Sequence, residues 1–133
     1  MTAWDTETID RIAAADDLHI APYRPDGATP GTPTWIWSVV VDDRLFVRAW
    51  NGPRSRWYRA AVEQRAGIIE TVGRRIDVTM TPIDEAAAPE LGTRIDAAYR
   101  TKYAGSAYLP PMVAEGPKAA TVEITPALEE DRA

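Results

Sequence analysis

The sequence predicts an α+β domain, mainly β, in which about six strands close into a small barrel flanked by about three helices. Three observations carry this expectation. Short runs rich in β-branched and aromatic residues recur along the chain, most of them joined by hairpin turns. Longer runs repeat their apolar residues at helical spacing. Strands lying flat would expose unpaired edges, and closure removes them. An open α+β sheet is the alternative that the same pattern allows.

Thr6 to Ala15 reads as the first helix, because Ile9, Ile12 and Ala13 fall on one side. Leu18 to Tyr23 alternates and reads as a strand. Arg24 to Pro33 is a loop, punctuated throughout by Pro and Gly. Thr34 to Val41 and Arg44 to Trp50 form a hairpin across Asp42-Asp43. Arg54 to Gln64 is a helix with Trp57, Ala60, Ala61 and Gln64 on one face. Gly67 to Thr71 and Arg75 to Thr81 form a second hairpin around Val72-Gly73-Arg74. Asp84 to Tyr103 is helical in pattern, with Pro89 near the start of its main body. Ala104 to Pro117 is a loop, long for a compact domain and a candidate lid. Ala119 to Thr125 is the last strand. Pro126 to Ala133 reads as an acidic, disordered tail, which leaves residues 1–125 as one domain.

Composition limits the function classes. The chain has 133 residues, 45% of them apolar, which suits one soluble domain. No run of about eighteen apolar residues marks a membrane span, and Met1 to Asp5 carries no secretory pattern. The absence of cysteine excludes disulfides, thiolate metal sites and a Cys nucleophile, and is compatible with a cytoplasmic protein. A single His makes a His-based metal site unfavourable, and the acid runs fix no compact ligand set, so no metal is expected. Asp16-Asp17 and Asp42-Asp43 read as solubility and turn features.

The charge is unevenly placed. The net charge is −5, yet residues 44–75 hold eight of the 15 basic residues and two acids, a local +6. The acidic balance argues against nucleic acid, while the basic stretch suits a small phosphorylated or carboxylated ligand. Within it, Trp50-Asn51-Gly52-Pro53-Arg54-Ser55-Arg56-Trp57 runs from a strand through a turn into a helix. Free N–H groups at a helix start attract anions, and Arg adds bidentate donors. Arg at a helix N-terminus also opposes the macrodipole, a conflict that a bound anion relieves. The alternative is a solvated turn whose Arg side chains pair with nearby acids. Trp35, Trp37, Trp50 and Trp57 offer indole faces for a flat ring, or ordinary core packing. Tyr99, Tyr103 and His19 are the candidate proton donors or acceptors, against a packed, salt-bridged helix face for the tyrosines.

Four segments carry a closer resemblance: Ile9-Asp10-Arg11-Ile12, Leu45-Phe46-Val47-Arg48, Arg56-Trp57-Tyr58-Arg59, and the run from Ile95 to Tyr103. The run from Leu45 to Ile83 resembles the flavin- and deazaflavin-binding split-barrel superfamily, and within it these four segments resemble the bacterial DUF2255 family. The Trp-Tyr helix after a Gly-Pro turn is also similar to that of the deazaflavin-dependent nitroreductases. The resemblance implies a six-stranded split β-barrel that holds FMN or the deazaflavin F420, usually at a homodimer interface. It implies a cofactor site at Arg48, Trp50, Asn51, Gly52, Arg54, Ser55, Arg56 and Trp57. Relatives often place Lys or Ser/Thr at the matched phosphate positions, and this chain is Arg-rich there. The implied function is an oxidoreductase acting on a small organic acceptor. The alternative is a barrel without cofactor that binds or transforms a small aromatic or acidic metabolite, as an isomerase, cyclase or dehydratase does.

Overall fold

A computed structural model of the chain describes residues 4–127. Seven strands form one antiparallel sheet: β1 His19–Pro22, β2 Thr34–Trp35, β3 Ser38–Val41, β4 Arg44–Arg48, β5 Ala66–Thr71, β6 Arg74–Ile83 and β7 Thr121–Pro126. The helices are α1 Thr6–Ala14, α2 Arg56–Gln64, α3 Pro89–Lys102, α4 Leu109–Met112 and α5 Glu115–Lys118, with a 3₁₀ turn at Gly52–Arg54.

The sheet order is β2-β1-β5-β6-β7-β4-β3. Its two edge strands are therefore successive in the chain, separated only by Ile36 and Trp37. Two residues of backbone span less than about 10 Å, so the sheet must curl until its edges nearly meet. No ladder joins β2 to β3, and the result is a curled half-barrel. This corrects the expected closed barrel of six strands. The expected single strand Thr34 to Val41 is instead two strands, because its first part pairs with β1 and its second with β4.

Both faces of β4 are buried. Leu45 and Val47 join Ile9, Ile20, Ile69, Met80 and Ile124 in one apolar cluster, while Phe46 joins Val39, Ile95, Tyr99 and Met112 in another. Period-two alternation thus feeds two cores from one strand. Asp5 caps α1 by accepting the Thr8 N–H at 3.0 Å. The two hairpin turns place both central residues at positive φ, Asp42 and Asp43 at 53° and 61°, Val72 and Gly73 at 48° and 72°. Val72 is β-branched and strained there. Asp17 compensates by accepting the Val72 N–H at 3.0 Å and the Thr71 hydroxyl at 2.6 Å. Arg11 donates to the Val72 carbonyl at 3.2 Å.

The last expected helix begins at Pro89, in its first turn, and residues 84–88 form a turn before it. The expected loop Ala104 to Pro117 contains α4 and most of α5. The predicted tail loses its first residue to β7, and Ala127 donates to the Asp77 carbonyl at 3.0 Å. Residues 128–133 lie outside the described residues. Among the described residues no helix is long and apolar enough to cross a membrane.

Ile124 is fully buried and faces Leu45 and Met80 across the ladder. Ile124→Ala is expected to lower the unfolding free energy by about 2–5 kcal/mol, read by urea denaturation. The hydrogen bond from Thr71, followed by that from Val72, holds the Asp17 carboxyl below its ordinary value of 3.8. A depressed folded pKa stabilises above the unfolded value and is lost as pH falls through the folded one. The stability gap between the wild type and Asp17→Asn should therefore be full at neutral pH and shrink on acidification below about pH 4.

Candidate functional site

Where the sheet hands over from β2 to β3, a cavity of about 820 Å³ opens. Trp35, Ile36 and Trp37 come from that handover, and Trp50 and Asn51 from the end of β4. Ser55, Arg56 and Trp57 come from the start of α2. Tyr103 closes α3, and Ser106, Tyr108 and Met112 follow it. Asp16 and Thr34 complete the wall. Among the described residues, the large hydrophobic side chains left exposed are Trp35 at 50%, Trp50 at 45% and Tyr108 at 64%, and all three line this cavity. Trp37 and Tyr103 stack at 3.9 Å and 2°, presenting parallel rings, and Trp50 meets Tyr108 edge-on at 5.6 Å.

The structure gathers most of the Arg-aromatic segment here and divides its work. Trp50, Asn51, Ser55, Arg56 and Trp57 line the cavity. Ser55 is the N-cap of α2, yet its side chain makes no capping bond. Its hydroxyl and the first N–H groups of α2 are therefore available to an anion. Arg56 is exposed and forms no ion pair among the described residues. Gly52 is buried at φ +69°, where a Cβ would stand 3.2 Å from the Gly116 carbonyl oxygen. It shapes the turn and lies beneath the lining. Arg54 is exposed and does not line the cavity.

Arg48 sits under the cavity floor with no solvent exposure, and its donors are engaged by the protein. Nε and Nη2 donate to Glu85 at 2.8–3.1 Å. Nη1 donates to Asp96 Oδ1 at 2.6 Å, and the Met112 and Gly92 carbonyls each accept at 3.4 Å. Thr121 donates its hydroxyl to Glu85, and Lys118 donates to Asp96 Oδ2 at 3.0 Å. Gly92 is required at this point, since a Cβ there would lie 2.5 Å from Glu85 Oε1. The guanidinium also lies 5.4 Å from the Tyr99 ring centroid. The expected phosphate ligand Arg48 is thus corrected to a buried ion-pair centre with no donor left for a ligand.

The three expected proton-transfer residues do not converge. Tyr99 is fully buried, its hydroxyl 3.5 Å from the Trp37 carbonyl, and burial drives its phenol far above the ordinary value. Tyr103 lines the cavity with its ring. Its hydroxyl accepts the Ser38 N–H at 3.1 Å and donates to the Ser38 carbonyl at 3.3 Å. Burial pushes the Tyr103 phenol up to about 12, with the charge of Asp16 adding to the rise. His19 lies on β1 outside the cavity lining, its Nδ1 3.1 Å from the Asp17 carbonyl. The wall beyond the expected cofactor set comes from Asp16, from Thr34 to Trp37, and from Tyr103, Ser106, Tyr108 and Met112. Trp35 and Trp37 were readable from the sequence as candidate indole faces. Asp16 was not, because an acid pair after a helix carries no mark of facing a cavity.

The family described as "Uncharacterized protein conserved in bacteria (DUF2255)" matches residues 8–124, and the chain belongs to it. No curated protein matches the chain. Among solved structures, the crystal structure of the conserved hypothetical protein Rv2991 from Mycobacterium tuberculosis is similar, with a TM-score of 0.63 and 17% identity. The similarity covers 95% of this chain and 81% of that one, and it is a likeness of fold.

Removing Arg48 strands the Glu85 carboxylate in the interior and leaves Asp96 with Lys118 as its cation. Arg48→Met is expected to cost about 3–5 kcal/mol in urea denaturation. Arg48→Met with Glu85→Gln is expected to recover part of that loss, since the two sites share one network.

Proposed function

We propose that this DUF2255 protein is a split-barrel flavin-type protein that holds a planar cofactor ring in the aromatic cavity and acts as an oxidoreductase on a small organic acceptor. The observation that supports it is the convergence of the exposed Trp35, Trp50 and Tyr108 on one cavity that is also lined by Arg56, which has no ion pair among the described residues. Exposed aromatics gathered at one concave site mark a ligand surface, where scattered ones do not. The volume lies within the usual range for small-molecule sites, about 300–1,000 Å³.

The residues present fit such a cofactor in two parts. The parallel Trp37 and Tyr103 rings, with Trp50 and Trp57 beside them, suit a flat heterocycle. Arg56, Ser55 and Asn51 suit its anionic end, joined by the α2 N-terminus. The bound cofactor would supply hydride or electron transfer, FMN and the deazaflavin F420 being the two forms that the resemblance implies. The chain's own work is to orient the ring, exclude water from it and hold the anionic tail. Tyr103 serves as a wall, because its hydroxyl is engaged by Ser38 in both directions. The split-barrel resemblance further implies a homodimer whose second copy borders the cavity mouth.

One observation favours a second reading. With Arg48 neutralised, Arg56 is the one unpaired cation lining the cavity among the described residues. A single cation suits a monoanion better than a phosphate dianion. A small aromatic acid, bound or transformed without a cofactor, fits that charge.

Titration of purified protein with FMN and with the deazaflavin, followed by Trp fluorescence quenching, separates the readings. Saturable micromolar quenching by either is expected, and Arg56→Ala should weaken it by about tenfold or more. Absence of binding to both, with quenching by an aromatic monocarboxylate, would transfer the assignment to the cofactor-free reading.

A further inference from the structure

We infer that the ligand of this cavity is dipolar, with an anionic group held at Arg56 and a hydrogen-bond-donor edge held at Asp16. The inference rests on the reading that the cavity takes a planar ring, and adds the charge pattern that the ring must carry. Three charged side chains line the cavity: Asp16, Arg48 and Arg56. Arg48 is electrically silent there, closed into a neutral cluster with Glu85, Asp96 and Lys118. Arg56 and Asp16 remain, and neither forms a salt bridge among the described residues.

They reach the cavity from different elements. Arg56 opens α2, beside the uncapped Ser55. Asp16 lies between α1 and β1, where its carbonyl accepts the Trp35 indole N–H at 2.9 Å. That bond fixes Asp16 against the tryptophan wall and leaves its carboxylate free. The carboxylate also acts on the stacked wall and its neighbour: burial raises the Tyr103 phenol and the charge of Asp16 adds to that rise, while burial lowers the Lys102 ammonium and the charges of Asp16 and Asp17 partly offset it. Lys102 does not neutralise it by direct contact. Its amino group donates to the Ser38 carbonyl at 2.8 Å and to the Ile12 carbonyl at 3.4 Å. A free carboxylate in the wall accepts from ring N–H or amine groups and repels a second anionic group. Asp16 is therefore a specificity-determining residue, selecting a ring with one acid and one donor over a ring with two acids.

Calorimetric titration with three two-ring probes tests this: 2-naphthamide, 2-naphthoate and 6-amino-2-naphthoate. The wild type is expected to bind the amino acid-bearing ring tightest and the amide weakest, with each step worth about fivefold to tenfold. Asp16→Ala should remove the first step and keep the second, and Arg56→Gln should do the reverse. Both residues are exposed, so neither change should disturb folding. Equal binding of all three probes, or steps that survive the substitutions, would overturn the inference and leave the planar-ring reading standing. No binding of any probe would overturn both.

Discussion

The buried guanidinium of Arg48 is the constraint around which the rest of the molecule is arranged. A charge with no solvent contact is tolerable only if its donors and its countercharge are supplied in full. The protein meets that demand from four directions. Glu85 comes from the turn before α3, Asp96 and the Gly92 carbonyl from α3, Met112 from α4, and Lys118 balances the second carboxylate from α5. The cluster ties the end of β4 to every element that follows β6. Because two cations meet two anions, the cluster carries no net charge, and the cavity above it is left to Arg56 and Asp16.

The cavity exists because the sheet does not close. A strand that leaves β1 and joins β4 must cross a gap, and it crosses at Ile36 and Trp37. Residues at such a handover have no ladder partner on that step and can turn large side chains into the opening. The indole of Trp37 does so beside that of Trp35 at the end of β2, and the end of α3 and the segment after it supply Tyr103 and Tyr108. The same departure from regular pairing thus sets the shape of the half-barrel and the position of its candidate site.

The strongest local signals in the sequence correspond to real elements. The Asp42-Asp43 and Val72-Gly73 turns, the strand after the first and both strands of the second hairpin, the first helix and the Trp-Tyr helix all stand near their expected bounds. These are features of short range, fixed by turn chemistry and by periodicity within a dozen residues. The count of strands fails at Thr34 to Val41, where local composition favours one extended run and pairing with two different partners divides it. The Ala104 to Pro117 stretch hides two short helices, because Pro and Gly density masks single turns that tertiary contacts hold in place.

For the candidate site the division is similar. By itself the sequence determined that positive charge concentrates between Arg44 and Arg75, and that a turn flanked by Trp50 and Trp57 delivers part of it to a helix start. It could not decide which arginine remains free. Arg48, Arg54 and Arg56 are chemically alike and close in the chain, yet one is buried against two acids, one points to solvent and one faces the cavity. Only the tertiary structure assigns these roles, because Glu85 and Asp96 lie 37 and 48 residues from Arg48. The electrostatic fate of a charge depends on what folds against it, which no local pattern records.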